Sequence, residues 1–544
     1  MRRFLTAVLV FAMLFAFACP SYAYTPKIEK AELVFEYKDG KFKTVDHLLD
    51  NTHMFFLPSF CTECDASVTL FYSSGKTEET AVRLVPGEKL AVKTGQAEYA
   101  FDTIKSENIP ALYVELAEDG TLSKLNGRNK PAIAGNMTLI DREGKVCGSG
   151  EMKQIKGRGN MSWDMPKKGY GIKLSQGADL LGMGKDKNWV LIPDYRDSSL
   201  LNFMLVNTLA SACGMTFAQQ SRWTDLYING EYLGVYMLTE KMEIGNERID
   251  IRDLEKQTEA INEKAPEDCG RITVKPLKGR SSNGKAWKIE NEPEDNTGGY
   301  LLELDTYDKS RDEKSLVTTD KGLIFSVKSP EYTTVGQMEY IIGFMQDMED
   351  ALYSKTGCNN KGKHFSEYID MESFALLWLL DEFGMEIDIC SSHYFWKDSD
   401  LSGDGKLHAC APWDVEHYFK REYYKTNYLT NNGAPKRFWQ NMYNLHPEFK
   451  AEVCRVWQEK LYPALQALLD SENKTDIYEG VCFYGTYTGF IETAAGMNHA
   501  RWPYALKKKV DDRPCKTWDD EVIYVQKYLA GRTEYLNSVF GAAQ

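Results

Sequence analysis

The stretch from Lys156 to Leu174, KGRGNMSWDMPKKGYGIKL, constrains this chain more than any other. Between Lys153 and Lys173 it carries six cations (Lys153, Lys156, Arg158, Lys167, Lys168, Lys173) against a single acid, Asp164. Glycines at 157, 159, 169 and 171 let the backbone approach a ligand closely or adopt positive φ. A basic, glycine-rich turn that runs into an apolar strand with an embedded lysine has what a polyphosphate needs: accessible backbone N–H groups and local positive charge. Local composition alone supports a solvated basic hairpin equally well.

The chain as a whole is acidic, with 65 Lys and Arg against 79 Asp and Glu and a formal charge of −14. That balance argues against nucleic acid or an anionic membrane as the main partner, so an anionic ligand must be held by a local basic site. A length of 544 residues predicts about two to four domains. Met1 to Ala23 has the form of a secretory signal peptide: Arg2 and Arg3, an uncharged apolar run from Phe4 to Ala18, and small residues around Tyr22. Cys19 offers the alternative of lipid attachment, with Ala16 to Ala18 before it and Pro20 after it a poor fit. No later run is apolar and long enough to span a membrane. Cys61-Thr-Glu-Cys64 is the one close cysteine pair, and a local bridge or two reduced thiols is expected there.

Residues 24–106 read as short strands separated by Asp-Gly, Ser-Gly-Lys and Pro-Gly turns, a small β-sandwich-type module without a catalytic constellation. A second region, 107–544, begins with the strand-like Ile109 to Leu116 and Met137 to Asp141. Asn188 to Ile192 reads as a buried strand, Ser198 to Cys213 as a helix, and Asp225 to Leu238 as a hairpin about Asn229-Gly230. The charged stretch Asp250 to Thr297 is expected to be an irregular surface connection. Gly298 to Asp305 returns to a strand, and Thr334 to Tyr353 and Asp370 to Phe383 are amphipathic helices. From about Arg437 the chain is mainly helical.

A second chemical feature lies between Asp381 and Glu416. Tyr394 to Trp396 and Lys406 to Ala409 form a predicted hairpin about Asp398 to Gly405, whose ends would bring Asp388 and Asp414 together. Two converging carboxylates suit a hard cation such as Mg²⁺ and can divide the work of phosphoryl transfer, one holding metal and one orienting a hydroxyl. Isolated aspartates are more often caps or solvated loop acids. The run Asp398-x-Asp400-x-Ser402-Gly-Asp404 resembles a calcium loop but has Ala409 at its twelfth position, so a hairpin turn with only adventitious Ca²⁺ is expected.

These residues together resemble the spore-coat protein H (CotH) kinase family. The resemblance rests on Lys156 to Leu174, Trp189 to Leu201, Ile228 to Tyr236 with Glu240-Lys241, Gly298 to Asp305 and Pro412-Trp-Asp-Val-Glu416. His446-Pro-Glu-Phe449, Asn498-His-Ala-Arg-Trp502 and Arg532-Thr-Glu-Tyr-Leu536 extend it. It implies an α+β fold, with a two-lobed atypical protein-kinase-like domain (about 107–305 and 306–544) following the β-module. It also implies a secreted or surface enzyme that uses ATP with Mg²⁺ or Mn²⁺ to phosphorylate serine on a protein. Carried over by position, Asp414 is the metal-binding aspartate and Asp388 the active-site aspartate, with Glu416 a further metal ligand. Kinase logic makes Lys173 the phosphate-pairing lysine, with Lys156, Arg158 and Lys168 as supporting cations and Glu240, ahead of Glu303 and Glu231, as its partner. The chain departs from the family pattern at Glu386, often asparagine, at Glu416, often aspartate, and at Asn202, often arginine. Those departures leave open a catalytically inactive binding protein or a retuned metal preference, and an acidic pair with a basic loop would also serve a Mg²⁺-dependent phosphohydrolase.

Overall fold

The computed structural model describes residues 26–38, 40–95, 97–385, 391–420, 424–431, 437–503 and 516–541. The leader-like start with Cys19, and Glu386 and Asp388, lie outside them. The described chain divides into two compact units, one reaching to Ser106 and including Gly230–Tyr232, the other formed by Glu107–Asn229 and the chain from Leu233 onward.

The first unit contains two four-stranded sheets. One has the order Gly40–Val45, Ile28–Tyr37, Cys64–Tyr72, Thr77–Leu84; the other, His47–Leu49, Thr52–Leu57, Glu98–Lys105, Leu90–Lys93. Strict alternation buries Ala31, Leu33 and Phe35 on one face of the first sheet, as a half-buried strand requires. Phe55 stacks on Phe101 at 4.9 Å within the second sheet. Cys61 and Cys64 are free thiols, and burial pushes that of Cys61 up to about 12.

The second unit opens with a closed barrel of seven strands: Ile133–Ile140, Val146–Arg158, Gly169–Asp179, Lys185–Ile192, Glu231–Glu240, Ser221–Ile228 and Ala111–Leu116. Its hairpins follow local chemistry. Asn229 and Gly230 have φ of 51° and 83°, the left-handed pair that an Asn-Gly turn supplies. Asp141 accepts the N–H groups of Glu143 and Lys145 at 3.0 and 2.8 Å, fixing the turn before Val146.

A seven-stranded sheet follows, in the order Arg271–Val274, Asn283–Trp287, Ser315–Thr318, Ile324–Ser329, Tyr300–Asp305, His393–Lys397, Leu407–Ala409. Two of its strands fall within the stretch expected to be an irregular connection. They are four and five residues long, and the first lies at the sheet edge with outward polar side chains. Such strands carry too little apolar periodicity to be read from sequence. Tyr300–Asp305 belongs to this sheet, paired with Ile324–Ser329 and His393–Lys397, rather than to the barrel that precedes it.

Helices cover the sheet. Val335–Leu352 starts with a capping box between Thr334 and Gln337, and Met371–Gly384 starts with Asp370 accepting the N–H of Ser373. The second of these is buried from Ser373 to Gly384 on every side rather than along one stripe. Phe374 stacks on Phe395 of the sheet at 5.2 Å, while Trp378 stacks on Tyr443 at 4.6 Å and meets Phe540 of the last helix. Arg532 of that last helix, Trp518–Phe540, is fully buried and donates to Glu382 at 2.8 Å and to the carbonyls of Tyr424 and Thr426. Among the described residues no helix is long and apolar enough to cross a membrane. The architecture is mixed α/β with several sheets.

Candidate active site

The basic stretch folds around a tryptophan. Strand Val146–Arg158 leads through a short 3₁₀ turn, Met161–Asp164, into strand Gly169–Asp179. Trp163 in that turn is buried, and its ring lies so close over Gly157 that a Cβ there would come within 2.1 Å of it. Lys168 donates to the Trp163 carbonyl and sits 5.1 Å over its ring, and Lys130 covers the ring at 5.5 Å. The register pairs Lys156 with Gly171 and Lys173 with Gln154. Ile155 and Ile172 point into the barrel core, so Lys156, Arg158 and Lys173 take the opposite face. There they line a groove of about 1330 Å³ whose other wall includes Lys241 to Glu247 with Asp253, Glu255, Lys256 and Glu259, and so brings acids to face them.

A second cavity, about 340 Å³, adjoins the groove. Asp414, Glu416, Asp194, Glu303, Asp305 and Glu313 supply its acids, and Arg158, Arg196 and Lys328 its cations. Arg158 lies 4.7 Å over the ring of Trp413, the residue before Asp414, and lines both cavities. Burial pushes its guanidinium pKa down, and Tyr394, Asp414 and Glu303 pull it back up.

The loop carrying Asp414 is tied down by its neighbours. Asn202, in the first turn of helix Asn202–Ala212, donates to the carbonyls of Val415 and Tyr418 at 3.2 and 3.1 Å. Asp197 organises that helix start by accepting from the N–H groups of Ser199, Leu201 and Asn202. Asp414 is exposed to the cavity. Glu416 lies 3.6 Å from Arg196, which also meets His417 at 3.0 Å; burial raises the Glu416 carboxyl pKa, Arg196 opposes it and Asp414 adds to it. Asp194 is buried with φ of 47°, and burial, reinforced by Asp197, holds its carboxyl well above the ordinary range. Lys167 is enclosed nearby, donating to the Val235 carbonyl and the Asn498 side chain at 2.5 and 2.9 Å.

Of the residues singled out from sequence, Lys156, Arg158, Lys173, Glu303, Asp414 and Glu416 line these cavities, and Arg158, Glu303, Asp414 and Glu416 share the smaller one. Lys168 and Glu240 line neither. Lys168 is committed to Trp163. Glu240, expected to pair with Lys173, is 3% exposed and bonded to Arg248 at 2.8 Å and to the Gln220 N–H at 2.7 Å. Burial pushes its carboxyl up to about 7 against those two donors. Glu303 pairs with Lys328 at 3.4 Å, not with Lys173. Asp388 lies outside the described residues.

The turn after His393–Lys397 has its acids engaged: Asp400 by Lys397 and Tyr340, Asp404 by His408 and the Lys406 N–H. Among the described residues, the grouping of three acids close enough to share a cation is Glu303, Asp305 and Glu313, with ligand atoms within 4.8 Å of one another.

Sequence reasoning missed Asp194, Arg196, Glu313 and Lys328. Asp194 and Arg196 lie inside the Trp189 to Leu201 stretch with nothing there that marks them as site residues, Glu313 and Lys328 lie in no motif, and the fold brings all four to one cavity. A charged residue next to an apolar strand core, such as Lys328 in Ile324–Ser329, was the available signal.

A family model described as CotH kinase protein matches residues 155–536. The chain belongs to the CotH kinase family. No curated protein matches it. The matched segment starts within strand Val146–Arg158 and ends in the last helix, so nearly every residue lining the two cavities falls inside the CotH region. Membership in this family makes the chain kinase-like.

Proposed function

We propose that this protein is an extracytoplasmic atypical protein kinase that transfers the γ-phosphoryl group of ATP to a serine of a protein substrate. The observation that carries this reading is that the groove wall carrying Lys156, Arg158 and Lys173 runs into the acidic crevice at Arg158, which lies over the ring of Trp413, the residue before Asp414. Lys156, Lys173 and Arg158 offset the negative charge of the polyphosphate along the groove. Asp414 and Glu416 offer only oxygen donors, the chemistry that Mg²⁺ or Mn²⁺ takes. Asp414 and Glu416 would hold such a cation, which would supply positive charge against the charge developing on the phosphate oxygens. In the transfer the serine Oγ bonds to the γ-phosphorus as the bond to the β–γ bridging oxygen breaks and ADP leaves. The serine proton passes to a carboxylate, the role the resemblance gives Asp388. The leader-like start supports a location outside the cytoplasm, by secretion or by a lipid on Cys19.

The test is incubation of the purified protein with radiolabelled ATP and Mn²⁺, followed by phosphosite mapping. Asp414→Asn is expected to lower transfer by about 100-fold or more, with its melting midpoint close to that of the parent. Absence of both label and nucleotide binding with every divalent cation sinks the proposal. The ion pair between Glu416 and Arg196 favours a second reading, a nucleotide-binding protein without catalysis, because it ties up one of the two oxygen donors. ATP-induced thermal stabilisation without transfer would support that reading, whereas release of inorganic phosphate alone would indicate a phosphohydrolase.

A further inference from the structure

Four residues line both the groove and the crevice: Arg158, Lys328, Tyr394 and Trp413. An elongated ligand that reaches from the groove to Asp414 must pass between them, and Lys328 and Arg158 are the two cations on that path. Lys328 lies on Ile324–Ser329, a strand in the interior of the seven-stranded sheet, whose neighbour Tyr300–Asp305 carries Glu303. Its ammonium is 2.9 Å from Glu313 and 3.4 Å from Glu303. Burial works against its charge, but the two glutamates outweigh burial and raise its pKa. An ammonium has three N–H donors, so two carboxylates leave one for a ligand.

We propose that Lys328, oriented by Glu303 and Glu313, is the lysine that contacts the polyphosphate of the nucleotide. The assignment rests on the kinase reading above and specifies which cation does the work. Lys173 is less suited to it. It is exposed on the groove wall, has no ion pair among the described residues, and must give up side-chain freedom to hold a phosphate. Lys328 has already lost that freedom to the two carboxylates. Its place at the neck sets it within the same small cavity as Asp414, whereas Lys173 lines only the groove.

The same pairs could serve only to neutralise Glu303 and Glu313 within the sheet, so the test removes that role. Affinity for ATP is measured in EDTA, where no divalent cation contributes, for the parent and for Lys328→Met. The measurement is repeated with Lys328→Met placed in a Glu303→Gln, Glu313→Gln background, in which there are no glutamates left to neutralise. A direct contact predicts about a tenfold or greater loss in both backgrounds. Lys173→Met, which removes the same charge from the same groove, should cost less than Lys328→Met does. Melting midpoints are recorded throughout, and the neutral background keeps the comparison valid if Lys328→Met alone unfolds.

A loss that disappears in the neutral background overturns the assignment, as does a larger loss for Lys173→Met than for Lys328→Met. A parent protein that binds ATP but transfers no phosphate sinks the kinase reading and leaves the Lys328 contact standing on the binding data. A parent that binds no ATP overturns both.

Discussion

At the scale of single residues, the buried ionisable groups around the crevice set how stability responds to acid. His499, in the Asn498 to Trp502 segment, is 7% exposed, and its Nε2 donates to the Ser198 carbonyl at 2.9 Å. Its Nδ1 is buried without a hydrogen-bond partner, so protonation would place an unsatisfied charge inside the protein. Burial pushes its pKa down to about 4, opposed by the Ser198 carbonyl and reinforced by Lys167. In the unfolded chain the ordinary value of 6.5 applies. Between these values the unfolded state binds more protons, so the contribution is fully present above pH 6.5 and is lost as the pH falls toward 4. The gap corresponds to about 3 kcal/mol. Urea unfolding between pH 4 and 7 should therefore show a steeper acid loss for the parent than for His499→Gln, in which the group no longer titrates. Parallel profiles would mean that the imidazole is not held neutral.

At the scale of elements, the basic stretch illustrates how local sequence becomes a site. Gly157 is there because the Trp163 ring occupies the space a side chain would need. Gly157→Ala would push the ring away, together with the ammonium groups of Lys168 and Lys130 that rest on it. The expected cost is about 1–3 kcal/mol, as for other overpacked positions. Nucleotide affinity should weaken with it, since Arg158 follows directly. Chemical denaturation and ATP titration of the variant check both. Unchanged stability would mean the turn adapts freely.

The same stretch shows what was legible beforehand. Its strand–turn–strand form, the Asn229-Gly230 hairpin and the capped helices at Thr334 and Asp370 follow from local rules that act within a few residues. The strands Arg271–Val274 and Asn283–Trp287 do not, because their place is set by pairing across the sheet. For the site, Arg158 and Asp414 could be found because each sits in a distinctive motif. Lys328 could not, because its surroundings come from strands far apart in sequence. The pairing of Glu240 with Lys173 was expected from kinase logic, and the fold instead gives Glu240 the buried Arg248 as partner. An acid at a strand end looks the same in sequence whichever cation it meets.

At the scale of the whole molecule, both cavities lie within one of the two units. The cavity-lining residues begin at Gln154 and end at His417, and none belongs to the unit that reaches to Ser106. That first unit has its own buried core, including Leu33, Phe35, Phe55, Val68, Leu70 and Phe101, so it has the makings of an independent domain. If the site is complete within the second unit, a chain beginning at Glu107 should transfer phosphate within about threefold of the full protein under the same Mn²⁺ and ATP conditions. Gly230–Tyr232 group with the first unit, although Glu231–Glu240 is a barrel strand. The measurement must therefore pair transfer rate with melting midpoint. A lowered midpoint with the rate retained at a temperature below it would assign the first unit a supporting role only. A rate reduced by more than about tenfold in a chain that remains folded would mean that the chain from Glu107 does not hold the complete site.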